Sequence, residues 1–562
     1  MTMDIGRGAG DFAPDAITGS SAAPGAGGDT PSGSGAMPRS RAPRILKASP
    51  YPAVLGKGLL AVAKMSVARW DRALEDLREV QERALLDITR HARNTEYGRR
   101  QDFAGVKSYA QFQTHVPLND YDTFSPFIER MRKGEKNLLV PEFVRYFGNS
   151  SGSSQAGRQK FLPITERQVG HQRRAGADTL MRWLAHANDD QFVRGYTLGL
   201  FPPTTMREEG PVLITSNPAL MVTKIPAFTR PVYLPEEDIK RISSYEEKLD
   251  KIAERYLDWD VRAVAGTTCW FTLLFEKVIE AARKRDPGIR HVRDVWPNLR
   301  VLLGGGVSAD PYMPIIRSLV GRNDITLVDS YNATEGGIYA TSDFSGERGM
   351  RMLPHRGTFF EFVALEDRDS PSPKRVPLWE VECDRSYSIV VTTVSGLYAY
   401  EIGDIVRFTS KSPLRIEFAG RLSGCLSVTQ ELTTHVEIER AVAYAIAKCP
   451  SHTVDFGASG DVGAGGTAKS RYALWVEFAE GQEPASMEAF AAAFDEGLCQ
   501  ENRVYREHRI GDVAIMAPRV VCLVKGGARR FMDDVTRGNV QGKFPRIIDD
   551  ARKAKLAAYA RS

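Results

Sequence analysis

Residues 261–266 read VRAVAG, 270–285 WFTLLFEKVIEAARKR, 299–306 LRVLLGGG, 311–320 PYMPIIRSLV and 325–337 ITLVDSYNATEGG. The first, third and fifth segments are Val- or Leu-rich runs that end in glycine or a polar turn. The second and fourth space their apolar residues by three and four. Short apolar strands alternating with helices predict an α/β layer with a parallel sheet, and functional groups gather where such strands end.

On the N-terminal side, Leu59, Leu60, Ala63, Val67, Trp70, Leu74, Leu77, Leu85 and Ile88 predict a helical stretch with one buried face. KFLPIT (160–165) predicts a short strand, with Thr165 and Glu166 opening the next helix. On the C-terminal side the pattern changes to successive strands: TFFEFVAL, LWEVEC, YSIVVTT, LYAYEIGDIVRFT and LRIEFAG, between 358 and 420. A smaller unit follows, with helices at 434–448, 487–499 and 529–537 and strands at 472–478 and 519–525. Within it GASGDVGAGGTAKS (457–470) reads as a flexible, hairpin-like loop. The expected fold class is α/β, with a large domain of layered sheets and helices over 46–415 and a small α+β domain over 416–562.

The 562 residues carry 75 Lys+Arg against 70 Asp+Glu, a net charge of +5, and are too many for one core. That charge gives no support for nucleic acid or an anionic membrane as the main partner. Six scattered cysteines (269, 383, 425, 449, 499 and 522) with no CxxC pair argue against a disulfide framework or zinc ribbon, and fit the cytoplasm. No apolar run reaches the ~18 residues of a membrane helix, and no secretory signal is present. Residues 1–45, rich in Gly, Ala, Ser, Pro and Thr, read as a disordered leader.

Five segments can carry chemistry. In NSSGSSQAG (149–157), hydroxyls and backbone N–H groups of a Gly-permissive loop can wrap a phosphate; the plain alternative is a surface loop. It lacks the GK[ST] ending of a P-loop. In SYNATEGG (330–337), Tyr331 offers a ring for a base, Thr334 a hydroxyl for a phosphate and Glu335 a carboxylate for Mg²⁺. Asp404 sits in what reads as a Gly-Asp turn after a strand, where it can accept two ribose hydroxyls or merely close a hairpin. Arg421 falls at the expected domain boundary, and Lys543 in QGKFPR is a point charge for a phosphoryl or carboxylate oxygen. Each of these last two is equally a solvated surface residue.

Taken in order, the five segments resemble the adenylate-forming ligase superfamily of acyl-CoA synthetases, peptide-synthetase adenylation domains and luciferases. Within it SSGSSQAGRQKFLPIT, YSIVVTTVSGLYAYEIGDIVRF and GKFPR resemble the auxin-responsive acyl-acid amido synthetases of the Gretchen Hagen 3 type. The resemblance spans about 97–546 and implies roles residue by residue. Ser150, Ser151, Gly152, Ser153 and Ser154 would embrace the ATP phosphates. Gly304, Gly305 and Gly306 would lie along adenine and ribose, with Tyr331 against the base. Thr334 would meet the α-phosphate, Glu335 the Mg²⁺ and Asp404 the ribose hydroxyls. Arg421 would sit at the hinge of a mobile C-terminal lid, and Lys543 would reach the reacting carboxylate and phosphate. Asn332-Ala333-Thr334 departs from the serine-containing segment usual in that family, which bears on acyl or acceptor choice.

The resemblance implies an ATP-dependent ligase that activates a small carboxylic acid as its acyl adenylate and passes it to an amine such as an amino acid. A thioester-forming ligase using coenzyme A is the alternative within the superfamily. A non-catalytic binding protein derived from such an enzyme is the alternative outside it.

Overall fold

The computed structural model describes residues 45–153, 159–306, 312–364, 367–368, 370, 372–383, 385–422, 424–429, 431, 433–463, 469–536 and 544–561. Most of the expected leader therefore lies outside the described residues.

The segments that predicted alternation supply three strands of a five-stranded parallel sheet, whose order is Tyr233–Leu234, Tyr196–Leu200, Val261–Gly266, Val301–Leu303, Thr326–Val328, the first two not foreseen from sequence. Its helices are Thr268–Arg283 and Met313–Val320, as the spacing predicts. The strand Val261–Gly266 is buried along nearly its whole length, as a parallel strand covered on both faces must be. The next layer is an eight-stranded antiparallel sheet that runs from Ser330–Ala333 through Gly337–Thr341, Met350–Met352, Leu414–Arg421, Tyr400–Lys411, Ser386–Thr393 and Thr358–Ala364 to Arg375–Pro377. A four-stranded sheet carries the hairpin Tyr146–Ser153 and Gln159–Ile164. The long helix Glu166–Ala187 connects these layers. Its Arg182 bonds Asp71 at 2.8 Å, and its Asp178 takes Arg356 Nη2 at 2.5 Å.

Several sequence expectations are corrected. The apolar stretch from Leu59 to Ile88 is two helices, Val54–Ala73 and Leu77–Ala92. Asp76 breaks it by accepting from Glu79 N as an N-cap. LWEVEC is not a strand: pairing ends at Pro377, and the chain turns before Cys383 bridges Phe408. The serine-rich segment is strand as far as Ser153 rather than loop. Gly403 and Asp404 form no turn either. They lie inside Tyr400–Lys411, where Gly403 has φ +91° beside a register shift between Ile405 and Val406. A bulge within a strand uses the same Gly-Asp pair as a hairpin, which is why the pair misleads. The strand Leu414–Arg421 runs through the expected 415/416 boundary.

Past Arg421 a three-stranded sheet (Thr453–Asp461, Ser470–Phe478, Ile515–Cys522) packs under the helices His435–Lys448 and Met487–Glu501. Part of the glycine-rich stretch expected to be a loop is the strand Thr453–Asp461. Among the described residues no helix is long and apolar enough to cross a membrane.

Candidate active site

The site is built where the chain leaves one sheet for the other. Thr326–Val328 closes the parallel sheet, Ser330–Ala333 opens the antiparallel one, and only Asp329 intervenes. The crossing is pinned on both sides. Asp329 N donates to Ser342 Oγ at 2.8 Å, and the Asp329 carbonyl accepts from Thr341 Oγ1 at 3.2 Å and Ser342 N at 2.9 Å. Ser330–Ala333 then folds back on Gly337–Thr341 through the turn 334–336, which carries Thr334 and Glu335.

Three other segments close on this hairpin. Gly148, on the serine-bearing strand, approaches so closely that a Cβ there would lie 2.7 Å from Thr334 Cγ2 and 3.0 Å from Ile164 Cδ1. Having no side chain, Gly148 leaves room for the Thr334 methyl to lie against its backbone. Opposite, Tyr331 Oη donates to Asp404 Oδ2 at 2.7 Å, with both residues buried. Burial, then the Asp404 charge, raises the Tyr331 phenol well above its usual range. Tyr339 and Tyr400 are also raised, first by burial and next by the Glu335 carboxylate. Glu335 and Asp404 thus act on one group of tyrosines. Across the ladder, Asp404 faces Arg421 on Leu414–Arg421.

The glycine run sits at the carboxyl end of Val301–Leu303. Gly304 N donates to Val328 O at 2.8 Å, Ser330 Oγ donates to Gly304 O at 2.8 Å, and Gly305 N donates to Thr268 Oγ1 at 3.3 Å. A Cβ on Gly305 would lie 2.7 Å from Ser330 O, so the run passes against the hairpin backbone to backbone. In open parallel sheets ligands bind outside the carboxyl ends of the strands, which is where this run lies.

Family models match along most of the chain in the expected order. The GH3 family N-terminal domain matches 67–217, the central domain 351–421 and the C-terminal domain 436–552, together more than half of the residues. The chain belongs to the GH3 family. It is similar to the indole-3-acetic acid-amido synthetase GH3.3 of Arabidopsis thaliana, 23% identical over 543 residues, covering 84% of this chain and 89% of that one. The indole-3-acetic acid-amido synthetase GH3.8 of Oryza sativa subsp. indica is 23% identical over 85% of this chain and 89% of its own. Among solved structures, the AtGH3.15 acyl acid amido synthetase in complex with 2,4-DB superimposes with a TM-score of 0.56 at 18% identity, over 91% of this chain and 97% of that one. A 2-hydroxyisobutyryl-CoA ligase aligns with a TM-score of 0.50 at 12% identity, over 91% and 93%. These likenesses show the fold of the adenylate-forming enzymes.

In this GH3 chain, Tyr331, Thr334, Glu335, Asp404 and the run Gly304–Gly306 come together, with the strand bearing Ser150, Ser151, Gly152 and Ser153 alongside. Ser154 and Lys543 lie outside the described residues, as do the side chains of Ser150, Ser151, Ser153 and Arg421. Residues outside the five segments also hold this hairpin in place. Gln168, fully buried, donates through Nε2 to Thr334 O at 2.9 Å. Its signal was present but pointed elsewhere: Thr165-x-x-Gln168 is a capping-box pattern, and a reader assigns such a Gln to the helix start. Thr165 does cap the helix, accepting from Gln168 N at 3.2 Å, while the Gln168 side chain reaches the turn 334–336 instead. Thr268 and Ser330, which grip the glycine run, carried no signal beyond being hydroxyls.

For a divalent cation, the donor set is one accessible carboxylate. Among the described residues no group of three or more His, Cys, Asp or Glu is placed to hold a metal. Mg²⁺ keeps several of its waters and binds through one or two carboxylates together with substrate phosphates. Glu335, part-buried at the turn, fits such a role.

Proposed function

We propose that this GH3 protein is an acyl-acid amido synthetase. It joins a small carboxylic acid to an amine, such as an amino acid, at the expense of ATP. The observation that carries the reading is the gathering at one hairpin of the serine-bearing strand, the glycine run, Glu335 and Asp404, from segments far apart in sequence.

A carboxylate is a poor acyl donor because oxide is a poor leaving group. Its oxygen attacks the α-phosphorus of ATP, the bond to pyrophosphate breaks, and the acyl adenylate carries AMP as a good leaving group. A neutral amine then attacks the carbonyl carbon, loses a proton, and AMP departs as the amide forms. Most of the catalytic work is positioning plus stabilisation of charge on phosphate. In this reading Gly304–Gly306 lies along the nucleoside and Asp404, held by Tyr331 Oη, accepts the ribose hydroxyls. Thr334, braced by Gln168 and Gly148, meets the α-phosphate. Ser150, Ser151, Gly152, Ser153 and Ser154 surround the outer phosphates, and Lys543 supplies positive charge to the reacting oxygens. Arg421, across from Asp404, stands where the chain leaves the large body for the lid. Glu335 is the residue that would hold Mg²⁺, which when bound would supply positive charge against the phosphates.

Adenylation needs no Ser or Cys nucleophile. Cys269 is fully buried and its thiol is pushed up by that burial, which makes it inert. The six cysteines are all unpaired, in keeping with a cytoplasmic protein. The test is pyrophosphate release with a matrix of aryl, indolyl and aliphatic acids against the common amino acids and coenzyme A. Release together with an amide product is expected. A thioester product, or no release from folded protein with any acid, overturns the reading.

A further inference from the structure

We infer that Trp270 is a positioning residue that links nucleotide occupancy of the glycine run to the seating of the C-terminal unit. The inference rests on the ATP-dependent reading above. Its basis is the first turn of Thr268–Arg283, which is hydrogen-bonded to the site at one residue and packs by its ring against the C-terminal unit two residues later.

On the site side, Thr268 Oγ1 accepts from Gly305 N at 3.3 Å and Thr268 N donates to Gly305 O at 3.4 Å. On the other side, the buried Trp270 ring stacks on Tyr245 with centroids 4.2 Å apart and 13° between planes. His508, from the C-terminal unit, meets both rings edge-on, at 4.9 Å and 83° to Trp270 and at 5.6 Å and 86° to Tyr245. His508 is itself fixed, with Nδ1 2.8 Å from Thr429 Oγ1. Thr429 and Val428 are held by one carboxylate: Thr429 N donates to Glu431 Oε2 at 2.6 Å and Val428 N to Glu431 Oε1 at 2.7 Å. Val428 O accepts from Tyr312 Oη at 2.5 Å, a hydrogen bond from the large body to the same short segment. Val513 and Ala514 complete the seat, buried in the apolar cluster that contains Trp270.

The C-terminal unit is therefore seated on a helix whose opening turn grips Gly305. A helical turn is stiff, so Thr268 and Trp270 move together. A nucleoside lying along the run settles the Gly305–Thr268 pair, and the ring two residues on follows. Linkage is reciprocal: the factor by which nucleotide favours the seated unit equals the factor by which seating favours nucleotide.

The experiment uses the full chain and reads three quantities with ATP and Mg²⁺. They are hydrogen–deuterium exchange of residues 505–516, the Kd for ATP, and the ratio of ATP–pyrophosphate exchange to amide formation. ATP is expected to slow exchange of that segment about tenfold in the wild type. In Trp270→Ala the slowing falls below twofold, the Kd rises by the factor lost, and the ratio of the two half-reactions changes. Trp270→Phe, which keeps a stacking ring, restores most of each effect. His508→Gln reproduces the loss from the other side of the seam. An ATP effect in Trp270→Ala equal to that of the wild type overturns the inference. So does a common loss of both half-reactions with the ATP effect intact, the mark of a purely structural residue. A wild type that exchanges pyrophosphate while ATP leaves residues 505–516 unchanged defeats the linkage but spares the proposed function. A wild type that exchanges pyrophosphate with no acid defeats the proposed function, while the ATP-dependent exchange still reads the seam.

Discussion

The hydroxyl of Tyr331 and the carboxylate of Asp404 satisfy each other in a buried place, and the turn at Thr334 is pressed by a glycine that has no room to be anything else. Each contact makes a sharp expectation. Gly148→Ala would drive a methyl into Thr334 Cγ2 at 2.7 Å, and such overpacking costs roughly 1–3 kcal/mol. Its larger effect falls on kcat for adenylation, because the group displaced is the one proposed to meet the α-phosphate. A denaturation midpoint measured beside the exchange rate separates the two; a stable variant with unaltered kcat would count against the role of Thr334. Glu335→Gln keeps size and removes charge, so turnover should drop about 100-fold, the scale seen when one stabilising contact to developing charge is lost. A Mg²⁺ titration that matched the wild type would exclude it as the metal ligand. Lys543→Ala should impair pyrophosphate exchange on a similar scale while ATP still binds. Wild-type exchange in that variant would refute its role.

Among the elements, the helix Glu166–Ala187 does more than cover the sheet. Its cap, Thr165, is tied to Ser395 Oγ at 3.0 Å, and its first turn delivers Gln168 to the hairpin that carries Thr334. Thr165→Ala should cost about 1 kcal/mol as a lost N-cap and should lower kcat as Gln168 loosens. Urea midpoints and pyrophosphate exchange measured side by side check both; a stability loss with full activity would show that Gln168 does not need its cap. The parallel sheet was legible from sequence because alternating strands and helices leave two distinct periods in Val261–Val328. The C-terminal helices were legible for the same reason. Gly403–Asp404 was misread because a positive φ identifies the residue and not whether the chain turns back. LWEVEC was misread because its apolar residues fill a core under a turn: Leu378 and Val381 are fully buried without pairing. Of the candidate site, Glu335 and Asp404 stand in short motifs. Gln168, Thr268 and Ser330 were not legible, since their partners lie tens to hundreds of residues away and no local pattern encodes them.

At the scale of the molecule, the C-terminal unit is held by a neutral imidazole. Burial pushes the pKa of His508 down to about 3, whereas in an unfolded chain it returns to ~6.5. Between those values the unfolded chain binds a proton that the folded one refuses, so stability rises with pH across that window. The contribution is complete at neutral pH and is lost as pH falls below ~6.5, at up to ~1.4 kcal/mol per pH unit. Urea midpoints at pH 7, 6 and 5 should therefore fall more steeply for the wild type than for His508→Gln, and parallel slopes would remove His508 as the cause. The passage at Asp329 has a different consequence. One residue joins two sheets that run in different styles, so the hairpin beyond it has no slack. Neither sheet can breathe without carrying Thr334 and Glu335 with it, and an insertion that a surface loop absorbs would here detune the site in a protein that still folds. The same shortness ties the register of the hairpin to both sheets at once.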